Sequence, residues 1–173
     1  MHTSPPRRCF LDLLRAIVLA ITLLPLAGGG SPARAATPAG TGNGASEPVF
    51  HSLPGELAAM RLPFSESVRA GGVLYLSGQI GTDASGKLVT GGIHAETRQL
   101  MDNIGGALAR GGSSFERVVQ CTVALADIKD WPAFNEVYRT YFPKHFPARM
   151  AYATSGLALG AHAEVQCNAL VAR

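Results

Sequence analysis

From Ala95 to Arg110 the apolar residues Leu100, Met101, Ile104, Ala107 and Leu108 recur at helical spacing, and Gly111-Gly112 follows as a stop signal. A helix with one apolar face must lie on something, and the runs around it supply a sheet. Val73–Ser77, entered through Gly71-Gly72, reads as a strand, and Asp83–Gly86 has the chemistry of a turn. Glu116–Ala126 is a nearly continuous apolar run, expected of a strand covered on at least one side. Asp130-Trp131-Pro132 opens a second helix, with Asp130 as its cap and Pro132 in its first turn, and Pro143 ends it. Ala148–Ala153 and Ala163–Ala172 give two more strands, joined by a Gly-rich segment. Strands, helix, strand, helix, strand, strand is the order of an α+β sandwich, two helices covering one face of a mixed or antiparallel sheet. Gly105-Gly106 inside the first helix costs roughly 1 kcal/mol per glycine relative to Ala, which implies another backbone packed close by. The other sheet face, if apolar, requires a second copy, so a symmetric homo-oligomer is expected.

The 173 residues leave room for one such domain once the N-terminus is set aside. Residues 1–35 read as a secretory signal: a basic start, an apolar run from Ala16 to Ala27, and Ala33-Arg34-Ala35 before a cleavage point at Ala36. An uncleaved anchor would need about 20 apolar residues, more than this run holds. Arg7-Arg8-Cys9-Phe10-Leu11 resembles the twin-arginine export signal, which carries folded proteins. Residues 36–47 are small, polar and Gly/Pro-rich, a flexible tether, and the folded domain is 48–173. The expected location is periplasmic or secreted, with no membrane attachment after cleavage. The net charge of +3 belongs wholly to residues 1–35, where four arginines face Asp12; the remainder is neutral and gives no argument for nucleic acid.

Two cysteines remain after cleavage, Cys121 and Cys167, both in strand-like runs. An oxidising compartment permits a disulfide, although buried free thiols in neighbouring strands are the commoner outcome, and only the Cα separation decides. The histidines His51, His94, His145 and His162 are scattered without ligand spacing, so no metal site is expected.

Phe146-Pro147-Ala148-Arg149 carries the chemistry: Arg149 is the one charged residue in a long uncharged stretch ending at Gly160. It is either half of a structural salt bridge with Glu164 or a fork for a substrate carboxylate, with Glu164 left to position water. Composition alone favours the salt bridge, because most charged pairs are structural.

Leu76-Ser77-Gly78-Gln79-Ile80, Phe134-Asn135-Glu136-Val137-Tyr138 with Tyr141-Phe142, Phe146-Pro147-Ala148-Arg149 and Ala163-Glu164-Val165 resemble, in order and spacing, the successive signatures of the RidA family (YjgF/YER057c/UK114). The resemblance covers essentially all of 48–173. It implies a chorismate mutase-like α+β sandwich, assembled as a homotrimer with ligand sites in the clefts between subunits. It also implies hydrolysis of reactive 2-imino or enamine acids to 2-keto acids and ammonia, as in 2-iminobutanoate/2-iminopropanoate deaminases, without a cofactor. Carried over, Arg149 holds the substrate carboxylate and Glu164 attends the attacking water; Ser77 and Gly78 line the cleft with Asn135. Phe64 stands where the family has tyrosine, and Ala151 where it has cysteine. Those departures favour an alternative, a non-catalytic module that binds small carboxylates or unfolded chains through the same cleft.

Overall fold

Alternation of period two runs along the centre of the domain. In Val118–Leu125 the residues Cys121, Val123 and Leu125 are buried, and in Ala163–Leu170 so are Ala163, Val165, Cys167 and Ala169. Each strand therefore gives one face to the core and the other to solvent. The structure, a computed structural model, describes residues 47–171. The expected signal sequence, and the expected tether apart from Glu47, lie outside the described residues.

Among the described residues six strands form one sheet. They are β1 (Val49–His51), β2 (Ser67–Ala70), β3 (Val73–Leu76), β4 (Val118–Leu125), β5 (Ala148–Ala153) and β6 (Ala163–Leu170), in the order β1-β2-β3-β6-β4-β5. All neighbours are antiparallel except β4 and β5. Gly71 and Gly72, both at positive φ, make the two-residue turn of the β2–β3 hairpin. The parallel β4–β5 pair requires a crossover, supplied by α2 (Trp131–Tyr138); α1 (Gly92–Arg110) crosses from β3 to β4, leaving a gap that β6 fills. Both helices contribute their buried residues, Leu100, Met101, Ile104 and Leu108 from α1 and Phe134 and Tyr138 from α2, to a single core with the sheet. The expected α+β architecture with two helices on one face of a mixed sheet is what the chain adopts.

Two expectations are corrected and two open questions are answered. Gly105 and Gly106 do not meet a backbone: a Cβ at Gly105 would lie 3.1 Å from the Phe115 ring, and one at Gly106 3.1 Å from the Arg110 guanidinium. The close backbone approach is at Gly81, where a Cβ would come within 2.7 Å of the Glu96 carbonyl oxygen. Asp130 makes no side-chain cap, because a 3₁₀ turn over Ile128–Asp130 runs straight into α2; Asp127 caps that turn by accepting from the Lys129 amide at 2.9 Å. The cysteines are not free thiols. Cys121 and Cys167 are register partners on β4 and β6 with Cα atoms 4.1 Å apart, and they form a disulfide in the core. Nor is the open sheet face uniformly apolar: Thr122, Glu164, Gln166 and Asn168 occupy its middle, while Tyr75, Met150 and Tyr152 are exposed around them.

Candidate functional site

Arg149 sits on β5 in register with Cys121, a core residue, so its side chain leaves the sheet on the helix-covered face. There α2 receives it. Arg149 Nη1 donates to Asn135 Oδ1 at 2.8 Å, and the guanidinium carbon lies 4.8 Å from the centre of the Tyr138 ring and 5.6 Å from that of Trp131. Ring faces attract a cation through their quadrupole and, unlike a carboxylate, leave its charge uncompensated. Tyr138 is buried, and its hydroxyl has no partner; burial pushes that hydroxyl up to about 12 although the Arg149 charge pulls the other way. Asn135, Tyr138, Arg139, Phe146, Pro147 and Arg149 enclose a hollow of about 320 Å³. Ala151, two residues further along β5 and on the same face, is half-buried against the core.

Glu164 belongs to the other face. Its register partner is Ala124, which pairs on its far side with Tyr152; Glu164 and Ala124 alternate with core residues, and Tyr152 is exposed. Its carboxylate lies directly over Gly78, where a Cβ would collide with Glu164 Oε1; the Gln79–Val165 bridge holds the two segments together. Glu164 also borders a hollow of about 190 Å³ with Thr122, Tyr152 and Gln166. Ser77 precedes this contact, its hydroxyl donating to the Ser65 carbonyl at 2.6 Å and its amide to that of Glu66 at 2.9 Å. Phe64, 48% exposed, adjoins Ser65.

The structure thus gathers the expected residues into two groups: Arg149, Asn135 and Ala151 on the helix face, and Ser77, Gly78 and Glu164 around the start of β6 on the open face, with Phe64 next to Ser65. Arg149 and Glu164 do not pair, which overturns the salt-bridge reading: they stand on opposite faces, three residues apart in register. Among the described residues neither makes an ion pair. Trp131, Tyr138 and Arg139 were not expected at the site. Their signal is helical spacing, since positions 131, 135, 138 and 139 fall on one face of α2 and its continuation. A larger cavity, about 550 Å³, lies elsewhere, between α1, the 53–57 segment and the Asp83–Ser85 turn; its one cation, Arg110, is closed in an ion pair with Glu66, and Glu56, Asp83 and Asp102 also line it. No group of three or more His, Cys, Asp or Glu among the described residues could hold a metal ion.

Residues 56–171 match the family described as Endoribonuclease L-PSP. The chain belongs to this, the RidA family. Over 109 residues the RidA-family chain is 45% identical to a goat protein named 2-iminobutanoate/2-iminopropanoate deaminase, with 62% of this chain and 80% of the relative covered. It is 36% identical over 108 residues to the Arabidopsis thaliana protein Reactive Intermediate Deaminase A, chloroplastic, covering 62% of this chain and 58% of that one. Its fold is similar to the crystal structure of YyfA from Yersinia pestis, a Rid-family protein of unknown function. The TM-score is 0.62 at 34% identity, over 64% of this chain and 89% of that one. Family and fold therefore agree, and the similarity to deaminase-named relatives supports Rid-family deamination.

Proposed function

We propose that this RidA-family chain hydrolyses reactive 2-imino acids to 2-keto acids and ammonia, as a homotrimer whose sites lie between subunits. The observation that carries the reading is Arg149: a guanidinium anchored only by neutral partners, beside a hollow of about 320 Å³ with no carboxylate in its lining. Such a group is free to take a substrate carboxylate through two parallel hydrogen bonds. The imine carbon is already electrophilic, so the reaction needs placement more than activation. Glu164, on the open face, takes a proton from water as its oxygen bonds to the carbon of the N-protonated imine, giving a neutral carbinolamine. That proton then passes to the nitrogen, and as the C–N bond breaks and ammonia leaves, the hydroxyl proton goes to Glu164 and on to the ammonia, so that the C=O forms. No cofactor enters this scheme.

Because Arg149 and Glu164 occupy opposite faces of one sheet, a site containing both takes them from different copies. Mixing Arg149→Ala and Glu164→Ala proteins, refolded together, is the test. Random pairing should restore about a quarter of wild-type turnover if each site draws one residue from each of two chains. No recovery by mixed, folded oligomers would defeat the shared site. Glu164→Gln alone should lower turnover more than affinity.

Phe64 and Ala151 support the second reading, binding without turnover. Phe64 keeps an aromatic wall but no hydroxyl, and Ala151 supplies no thiol. Folded wild-type oligomers that bind keto acids yet leave imines untouched would establish it. The disulfide, together with the expected signal sequence, favours action outside the cytoplasm, where cystines persist; fractionation of the native host is the check.

A further inference from the structure

We infer that the hollow beside Arg149 selects imino acids bearing a second, distal carboxylate, and that Arg139 reads it. This rests on the hydrolase reading for the reaction and extends it to the substrate's side chain.

One residue anchors both arginines. The side-chain oxygen of Asn135 accepts from Arg149 Nη1 at 2.8 Å, while its backbone carbonyl accepts from Arg139 Nε at 3.2 Å. Both arginines line the same hollow, and its other walls are Asn135, Tyr138, Phe146 and Pro147, none of them acidic. Among the described residues neither arginine makes an ion pair, and the acid nearest to Arg139 along α2, Glu136, bonds to His94 at 3.1 Å instead. Two cations around one small space repel each other. A monocarboxylate answers one of them, whereas a dianion answers both, and such a difference is a basis for selection. The two positions differ in rigidity. Arg149 is held between an amide and two ring faces, which suits the carboxylate next to the imine; Arg139 is exposed, with Nε engaged and its terminal amino groups free for the distal one. Phe146, 67% exposed, and Pro147 offer an apolar wall to the carbons between. A polyanion such as RNA is disfavoured, because residues 36–173 hold equal numbers of acidic and basic side chains.

The test compares 2-oxoglutarate with 2-oxopentanoate, keto acids of equal chain length differing in the distal carboxylate, by calorimetric titration of the purified protein. Imines generated in situ from glutamate and norvaline supply the kinetic counterpart. Wild type should bind 2-oxoglutarate about tenfold more tightly, the scale of one charge-assisted contact that is partly screened by water. Arg139→Gln should bring the ratio close to one, Arg139→Lys should restore part of it, and added salt should shrink it. Equal binding of the two keto acids by wild type, or a ratio untouched by Arg139→Gln, overturns the proposal. So does loss of 2-oxoglutarate binding to a competing single-stranded RNA at physiological salt. A tenfold binding ratio with no hydrolysis of either imine would remove the hydrolase reading and leave this one standing. Hydrolysis of both imines with a ratio of one would do the reverse.

Discussion

Arg110 and Arg149 are two partly exposed arginines of one small domain, and they have opposite surroundings. Arg110 makes two charged hydrogen bonds to Glu66, a carboxylate almost wholly buried, and the pair closes one wall of the 550 Å³ cavity. Arg149 has an amide oxygen and two aromatic faces, and no acid within reach. The first cation is satisfied inside the chain and holds the end of α1 to the strand region. The second is held in place without being satisfied. Cavity size is therefore a poor guide here: the larger space is bordered by a finished ion pair, and the smaller one by a charge still available to a ligand.

The sharpest way to break this contrast is Arg149→Ala, which should abolish ligand binding and reduce imine hydrolysis to background while the thermal midpoint barely moves. Activity equal to wild type would end the argument. Replacing both Cys121 and Cys167 with alanine removes the cystine lying in register with Arg149, and should cost about 4 kcal/mol of stability in denaturant titration, given a span of 46 residues. Arg110→Gln should show the opposite profile to Arg149→Ala. It strands the Glu66 carboxylate and should destabilise by about 2 kcal/mol, less than a wholly buried pair because the Arg110 head is half exposed, with binding retained. Tyr138→Leu removes the ring face under Arg149 and should weaken carboxylate binding by about 1 kcal/mol, whereas Tyr138→Phe keeps the face, deletes only an unpartnered hydroxyl, and should rescue it. Loss of binding in both would mean that Tyr138 serves packing alone.

The smallest effect concerns Asp83, remote from Arg149. Hydrogen bonds from the Ser85 hydroxyl and the Lys87 amide hold its carboxyl below the ordinary carboxylate value. A depressed carboxylate contributes stability above its unfolded value and loses it as pH falls through the folded one. The Ser85 and Lys87 amide resonances should therefore shift only at pH below the usual carboxylate range; movement at the usual value would contradict the assignment.

Elements with a strong period were readable from residues alone. Leu100, Met101, Ile104, Ala107 and Leu108 marked α1, and the apolar run around Cys121 marked β4, because in each case burial repeats along the local chain. β1 and β2 were not foreseen, being three and four residues long with few buried positions; pairing across the sheet, not local pattern, creates them. The same distinction runs through the site. Arg149 stood out as a lone charge, and family signatures carried Glu164, Ser77, Gly78 and Asn135. That Asn135 would hold Arg149, and that Glu164 would lie on the far face, depend on strand register and helix placement, which no single stretch encodes. The cystine was undecidable for the same reason, since its halves are neighbours only once β4 and β6 pair.

The position of β6 sets the order in which this molecule can be made. It is the last strand among the described residues but lies between β3 and β4, so a nascent chain shorter than about 160 residues holds two pieces of sheet with nothing to join them. Cys121 likewise waits for Cys167. Until β6 is in place, both flanking strands, β3 and β4, present open edges that invite pairing with other chains.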